Sequence, residues 1–320
     1  MRKYIPFLLL VLSACDFNVK TSTSTSSSLQ SGKSIDENLR NTIQEKNQFV
    51  VECLEAENSR DISKVASKYM LDEGFIEGTP ILDSYGKLME TNEFSVFGEY
   101  YAKASEPKVE IKIDEKFNRG GDTNKFEIRY RSMAEESYLS LLVKNTGSSE
   151  LLITALYGYY DEEWKLDFLS LSTLTSYGMT APEFYYASQE FRQEGDIVNA
   201  YIYSLFAELT IEPCEGLFFY DKRQEMIDYS NSVKMDYESK ISLPDTMHNI
   251  KSHPIIIGLG VKISANLDYL PWIQYFTSLD PSDTEAISAE RNEIAKEIES
   301  VFPGLSRKFK TQMYEAYVQQ

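Results

Sequence analysis

The chain has only two histidines, two tryptophans and three cysteines in 320 residues, and these scarcities remove several kinds of chemistry. A zinc site needs three or four ligands. His248 and His253 stand five apart, which does not place them on one helix face as an i, i+4 pair would. His253 precedes Pro254, where extended backbone is favoured, so both are expected in a solvent-exposed loop. With so few imidazoles and no Gly-x-Ser-x-Gly elbow, a serine triad has nothing to build on. No GxxxxGK[ST] loop is present, and Gly258-Leu259-Gly260 lacks the third glycine and the following helix of a dinucleotide site. Those two glycines are expected to mark a bulge or a close backbone contact. Asp280, Asp283 and Glu285 are acidic but lack the spacing of a calcium loop. No metal or cofactor is expected. Positive charge is scarce as well: 32 Lys and Arg stand against 50 Asp and Glu, a net charge of −18, with no basic run. Such a surface is repelled by phosphate backbones, which excludes nucleic acid as a partner. No apolar run approaches the roughly 20 residues that a membrane-spanning helix requires.

What is present begins at the amino terminus. Arg2 and Lys3 precede a short apolar core, Phe7-Leu8-Leu9-Leu10-Val11-Leu12, and a small-residue exit, Ser13-Ala14. That is the layout of a secretory signal. Leu12-Ser13-Ala14-Cys15 resembles the lipobox of bacterial lipoproteins at all four positions. The resemblance implies cleavage between Ala14 and Cys15, a diacylglycerol on the Cys15 sulfur, and acylation of the new terminus. Each buried methylene contributes about 0.8 kcal/mol, so two or three chains hold where one is marginal. Asp16 follows directly. In enteric-type bacteria an aspartate there resembles those of lipoproteins retained in the inner membrane. The expected location is therefore the cell envelope, on the periplasmic face, with the inner membrane preferred.

Residues 20–34 are almost wholly Ser, Thr, Lys, Gln and Gly. So polar a segment cannot offset its own ordering entropy and reads as a tether, with a span of roughly 20–25 Å by random-coil scaling. The expected organisation is a signal peptide over 1–14, a lipidated cysteine and tether over 15–36, an α+β domain over 37–178, and a second α+β domain over 179–320. Export places Cys53 and Cys214 in an oxidising compartment. They are a candidate disulfide, or else two buried free thiols acting as small hydrophobes; the sequence leaves both open.

Residues 35–69 carry helical periodicity with a break at Asn58-Ser59, and Gly78-Thr79-Pro80 predicts a second break before a short helix over 82–89. The period then becomes two. Residues 109–114, 126–131, 138–143, 151–160 and 164–171 predict a four- or five-stranded meander, with Asp161-Glu162-Glu163 at a hairpin tip. Tyr157-Gly158-Tyr159-Tyr160 with Trp164-Lys165-Leu166 resembles the closing hairpin of the NTF2-like superfamily. This resemblance covers residues 37–173 and implies helices packed into a curved antiparallel sheet, a cone. Some members are enzymes that use a carboxylate base and a tyrosine donor inside that cone. Here Asp167 with Tyr130 and Tyr159 would fill those roles, burial raising the aspartate.

The second half is expected to open with an αα-hairpin over 181–212 around Glu194-Gly195-Asp196, near the spacing of one tetratricopeptide unit but with no second copy. Residues 254–263 predict a strand buried on both faces, with a neighbour over 270–278. Ser282-Asp283-Thr284-Glu285 predicts a capping box opening a helix that buries Ile287, Ile294 and Ile298. A final helix is expected over 306–318. With no catalytic set identified, the reading is a non-catalytic envelope module that binds a protein or small ligand. The alternative is a periplasmic enzyme or small-ligand binder using the cone. The anchor yields the first testable expectation. Cys15→Ser protein should remain uncleaved or leave the membrane fraction, as read by mass spectrometry and fractionation. An acylated Cys15→Ser protein that still partitions with membranes would overturn the lipobox assignment.

Overall fold

The computed structural model describes residues 28–89, 93–116, 125–264 and 268–318. It is an α+β protein whose sheets are open. The signal segment, Cys15 and Asp16 lie outside the described residues. No helix among the described residues is long and apolar enough to cross a membrane.

Helix α1 (Glu37–Glu55) opens at Asp36, whose carboxylate accepts the Leu39 amide at 3.1 Å. It buries Ile43, Asn47, Val50, Val51 and Leu54, a stripe of helical spacing. The helical pattern expected as far as residue 69 breaks into a 3-10 turn (Ser59–Lys64) and the short α2 (Lys68–Asp72). The backbone between them is engaged elsewhere: Ser67 N donates to Leu166 O and Leu166 N to Val65 O, both at 2.8 Å. Helix α3 (Phe75–Gly86) replaces the expected break and the helix at 82–89. Pro80 sits inside it, and its missing N–H would orphan the Ile76 carbonyl. The Thr79 hydroxyl donates to that carbonyl at 2.8 Å.

Among the described residues the first half supplies the strands β1 (Ser28–Ser31), β2 (Ser95–Lys103), β3 (Val109–Lys116), β4 (Lys125–Ser132), β5 (Glu136–Asn145), β6 (Glu150–Tyr160) and β7 (Glu163–Thr175). They do not form one meander. The main antiparallel sheet has order β1-β2-β5-β6-β7. The polar segment expected to be tether thus contributes, from Ser28, an edge strand paired with β2. Because β2 fills the free edge of β5, the β3–β4 hairpin between them has no place in the plane. It pairs instead with β8 (Phe218–Tyr220) from the second half, through Phe126↔Tyr220 and Ile128↔Phe218.

The second half starts with α4 (Ala181–Gln193) and α5 (Ile197–Leu209), then α6 (Arg223–Lys240). Its sheet contains β9 (Asp245–Thr246), β10 (Ile255–Ile263), β11 (Tyr269–Thr277) and β12 (Met313–Val318), with β12 parallel to β11. Strand β10 is half-buried rather than covered on both faces, Ile256 and Leu259 being its buried residues. Helix α7 (Thr284–Glu297) is capped by Asp283, one place beyond the expected Ser282. The expected last helix is confined to α8 (Leu305–Lys308). The following residues extend as β12 along β11, with Lys262 reaching Glu315 at 2.8 Å and Gln274 reaching Tyr317 at 3.2 Å.

Two cores flank the main sheet. One packs α1 and its neighbours on Tyr138, Leu142, Ile153, Tyr157 and Leu166. The other packs the alternate residues, Tyr100, Leu139, Leu141, Leu152 and Leu174, with Phe184, Phe206, Phe218, Ile273 and Phe302. The second core therefore runs across the boundary placed at 178/179. In the first, α3 lies so close to α1 that a Cβ on Gly86 would stand 1.9 Å from the Leu54 carbonyl oxygen. Gly86→Ala is expected to lower stability by about 1–3 kcal/mol, the usual cost of overpacking, measured as a shifted urea midpoint at constant m-value.

Candidate functional site

Alternation and a bulge together create the first site. The β6–β7 hairpin turns at Asp161 and Glu162, both at positive φ, as a two-residue primed turn requires. Below the turn, Tyr159 pairs with Trp164 and Gly158 with Lys165, but then Tyr157 meets Leu166 and Leu156 meets Phe168. Asp167 is the extra residue of a β-bulge, a device that re-aims side chains. It is buried beside Leu166, which is also buried. Gly158 makes the room: a Cβ there would stand 2.4 Å from Asp167 Oδ2 and 2.6 Å from the Tyr160 ring.

Inside this niche the Tyr160 hydroxyl reaches both Asp167 oxygens, at 3.0 and 2.9 Å. Ser67 provides a second hydrogen bond while its Oγ also accepts the Met70 amide at 3.2 Å. Burial pushes the Asp167 carboxyl above its ordinary value, and the two hydroxyls only partly oppose this. Burial and the adjacent carboxylate push the Tyr160 hydroxyl upward too. Outside lies a cleft of about 350 Å³ lined by Ser67, Lys68, Tyr69, Tyr160 and Lys165. Tyr160 therefore stands between a buried acid and open space, an arrangement suited to holding or relaying one proton.

The tyrosines expected beside Asp167 are elsewhere. Tyr159 faces outward next to Trp164, with ring centroids 5.1 Å apart. Tyr130 is buried on β4, outside the main sheet, with its hydroxyl 3.2 Å from Ser137 Oγ, and burial pushes it up to about 12. The parity of the strand decides the matter, because Gly158 and Tyr160 share the Asp167 face and Tyr159 does not.

A second bulge shapes a larger cleft, of about 710 Å³, at the end of the main sheet. Val96 meets Leu142 and Gly98 meets Leu141, leaving Phe97 unopposed and turned to the cleft. A Cβ on Gly98 would stand 2.9 Å from the Tyr100 hydroxyl, so glycine is needed for that ring to fold back. On one wall Arg40 Nε meets Glu99 Oε1 at 3.1 Å, and the Tyr138 hydroxyl donates to Glu99 at 2.8 Å. The cleft is also lined by Phe126 and, directly across the β3–β4 ladder from it, Glu115. Glu115 continues the row of Ile111 and Ile113, the inward face of β3. Burial chiefly, and then the charge of Glu115, raise the Tyr100 hydroxyl. None of these cleft residues was anticipated. The available signal was an alternating strand whose apolar row, Ile111 and Ile113, ends on a carboxylate.

The remaining candidates are structural. Cys53 and Cys214 are both free and buried, one in each core on opposite faces of the main sheet, so the disulfide alternative is not realised. Burial pushes the Cys214 thiol up to about 11 and raises Cys53 as well. The rings of His248 and His253 lie 5.9 Å apart, and among the described residues no three His, Cys, Asp or Glu gather around one point. Gly258 follows a bulge after Ile256, under the Gln274 side chain. Asp280 accepts from Ser282 in a local turn.

The chain matches no protein-family model, no curated protein and no solved structure. The Asp167 niche has a measurable signature. A carboxyl raised by folding binds its proton more tightly in the folded state, so its contribution is greatest at low pH and is lost as pH rises through the folded value. Asp167→Asn removes that titration. The melting temperature of the variant relative to wild type should therefore climb as the pH is raised from about 4 towards neutral, as read from a series of thermal melts.

Proposed function

We propose that the chain is a lipoprotein of the bacterial cell envelope, anchored through Cys15, that binds a small ligand or protein partner without transforming it. In this reading the first half is an NTF2-like cone and Asp16 holds the protein at the inner membrane. What supports the anchor is the sequence Leu12-Ser13-Ala14-Cys15 behind a short charged and apolar leader. What carries the binding reading is the cleft of about 710 Å³, where aromatic rings and charges of both signs face one space. Ligand sites share this make-up, an apolar lining with a few placed polar groups.

A second reading has its own support. The Asp167–Tyr160 pair adjoins the smaller cleft, and paired groups with displaced pKa values are a mark of acid–base catalysts. In that reading the chain is an enzyme that moves a proton on a small substrate through Tyr160.

The two readings separate in equilibrium dialysis of the detergent-solubilised full chain against a metabolite extract. A binding protein is expected to concentrate a compound unchanged and to lose it on Val96→Trp, which fills the larger cleft from an exposed position. Conversion of a compound to a new product, abolished by Asp167→Asn, would overturn the binding reading and establish the second.

A further inference from the structure

The larger cleft carries more information than its size, and the following step rests on the binding reading of that cleft. Its charges are sorted by origin. The cationic groups, Lys33 and Arg40, come from the turn after β1 and from the first turns of α1. The anionic groups, Glu99, Glu115 and Glu150, come from strands. Some of this charge is internally satisfied: Glu99 by Arg40 and Tyr138, and Glu150 in part by the Thr175 hydroxyl at 3.1 Å. Two groups are not. Lys33 and Glu115 have no ion-pair partner among the described residues. Arg40 meets Glu99 through its Nε, and a guanidinium has further N–H donors to offer an acceptor.

A carboxylate on the inward row of a half-buried strand costs desolvation energy unless something offsets it. A neutral side chain at position 115 would complete the row of Ile111 and Ile113 at no such cost. The same cleft is lined by Phe97, Phe126 and Tyr100, with the Phe97 and Phe126 rings stacked at 5.7 Å as an aromatic floor. The bulge in β2 aims Phe97 at this floor, and the lack of a side chain at Gly98 lets Tyr100 lie beside it.

We propose that this cleft binds a small zwitterion bearing an apolar group, a free amino acid or a short peptide. Its ammonium would lie against Glu115, its carboxylate against Lys33 and Arg40, and its side chain over the Phe97–Phe126 pair. The volume suits a ligand of one to three residues, within the roughly 300–1,000 Å³ of ordinary small-molecule sites. The sign pattern matches a zwitterion better than a simple anion, which Glu115 repels, or a simple cation, which Lys33 repels. The aromatic floor adds face-on attraction for an ammonium as well as apolar burial.

The test is isothermal titration of the full chain in detergent with phenylalanine and alanyl-phenylalanine. Each is compared with analogues lacking one charge: the N-acetyl form, the C-terminal amide, phenylpropionate and phenethylamine. The zwitterions are expected to bind, and removal of either charge to weaken binding at least tenfold. Glu115→Gln should erase the preference for a free amine and leave the preference for a carboxylate. Lys33→Gln should do the reverse. Both positions are accessible to solvent, and melting curves check that the fold is kept. Equal binding of capped and uncapped peptides, or indifference to Glu115→Gln, would overturn the zwitterion assignment. So would silence toward this series while dialysis still shows a compound retained, and in that case the binding reading stands. Silence here together with empty dialysis would bring down both.

Discussion

Strands β5 and β6 are buried along nearly their whole length on both faces, and most of the architecture follows from that. A strand of Leu, Ile, Val, Tyr and Ala exposes apolar area on two sides, so a single layer of helices is insufficient. One face takes α1, α2 and α3. The other takes the β3–β4–β8 sheet, α4 to α6 and the β9–β12 sheet, all drawn into one continuous core. Even the end of β5 obeys the constraint. Lys144 is fully buried and is tolerated because Glu55, from the last turn of α1, pairs with it. Removal of one partner from such a pair is far more costly than the pair is stabilising. The ion pair therefore fixes how α1 sits on the sheet more than it strengthens the sheet.

The two clefts share a construction. Each adjoins a β-bulge in the main sheet, with one residue turned out of alternation and a glycine nearby giving up its side-chain volume. In β2 the pair is Phe97 and Gly98; across β6 and β7 it is Asp167 and Gly158. A regular ladder sends alternate side chains to opposite faces and leaves no space between neighbours. The bulge supplies the misplaced side chain and the glycine supplies the hollow. Both irregularities are thus explained by the chemistry they position, an aromatic ring in one case and a buried carboxyl in the other.

Legibility of the sequence followed the range of the interactions. Local patterns were readable: the stripe of α1, the alternation of β3 and β4, the aromatic hairpin of β6 and β7. So was the unusual setting of Asp167 in an apolar strand. Long-range pairings were not. Nothing in Ser28–Ser31 announces a strand, because it is one only through Tyr100 to Lys103. Phe218–Tyr220 is too short to signal anything until β4 accepts it. Pro80 marked a break that the neighbouring Thr79 repairs with one hydroxyl. The sequence points to Tyr130 and Tyr159 and not to Tyr160, because side-chain parity in the hairpin cannot be assigned without the pairing register. The charged lining of the larger cleft was invisible for a related reason, since Arg40, Glu99 and Glu115 come from three elements that only the fold brings together.

The pairing of β4 with β8 also has a consequence for the order in which the molecule is made. Any chain delivered from its amino end presents β3 and β4 long before Phe218–Tyr220 exists to cover them. During that interval the hairpin has a bare edge at Phe126 and Ile128, and unpaired apolar edges recruit strands from other chains. On its outer row Lys112 of β3 pairs with Glu127 of β4, and Glu127 pairs also with Arg129 on its own strand. They need no later partner, so they can hold the hairpin closed and soluble from the moment it emerges. A feature that looks ornamental in the finished protein is thereby a guard for the unfinished one.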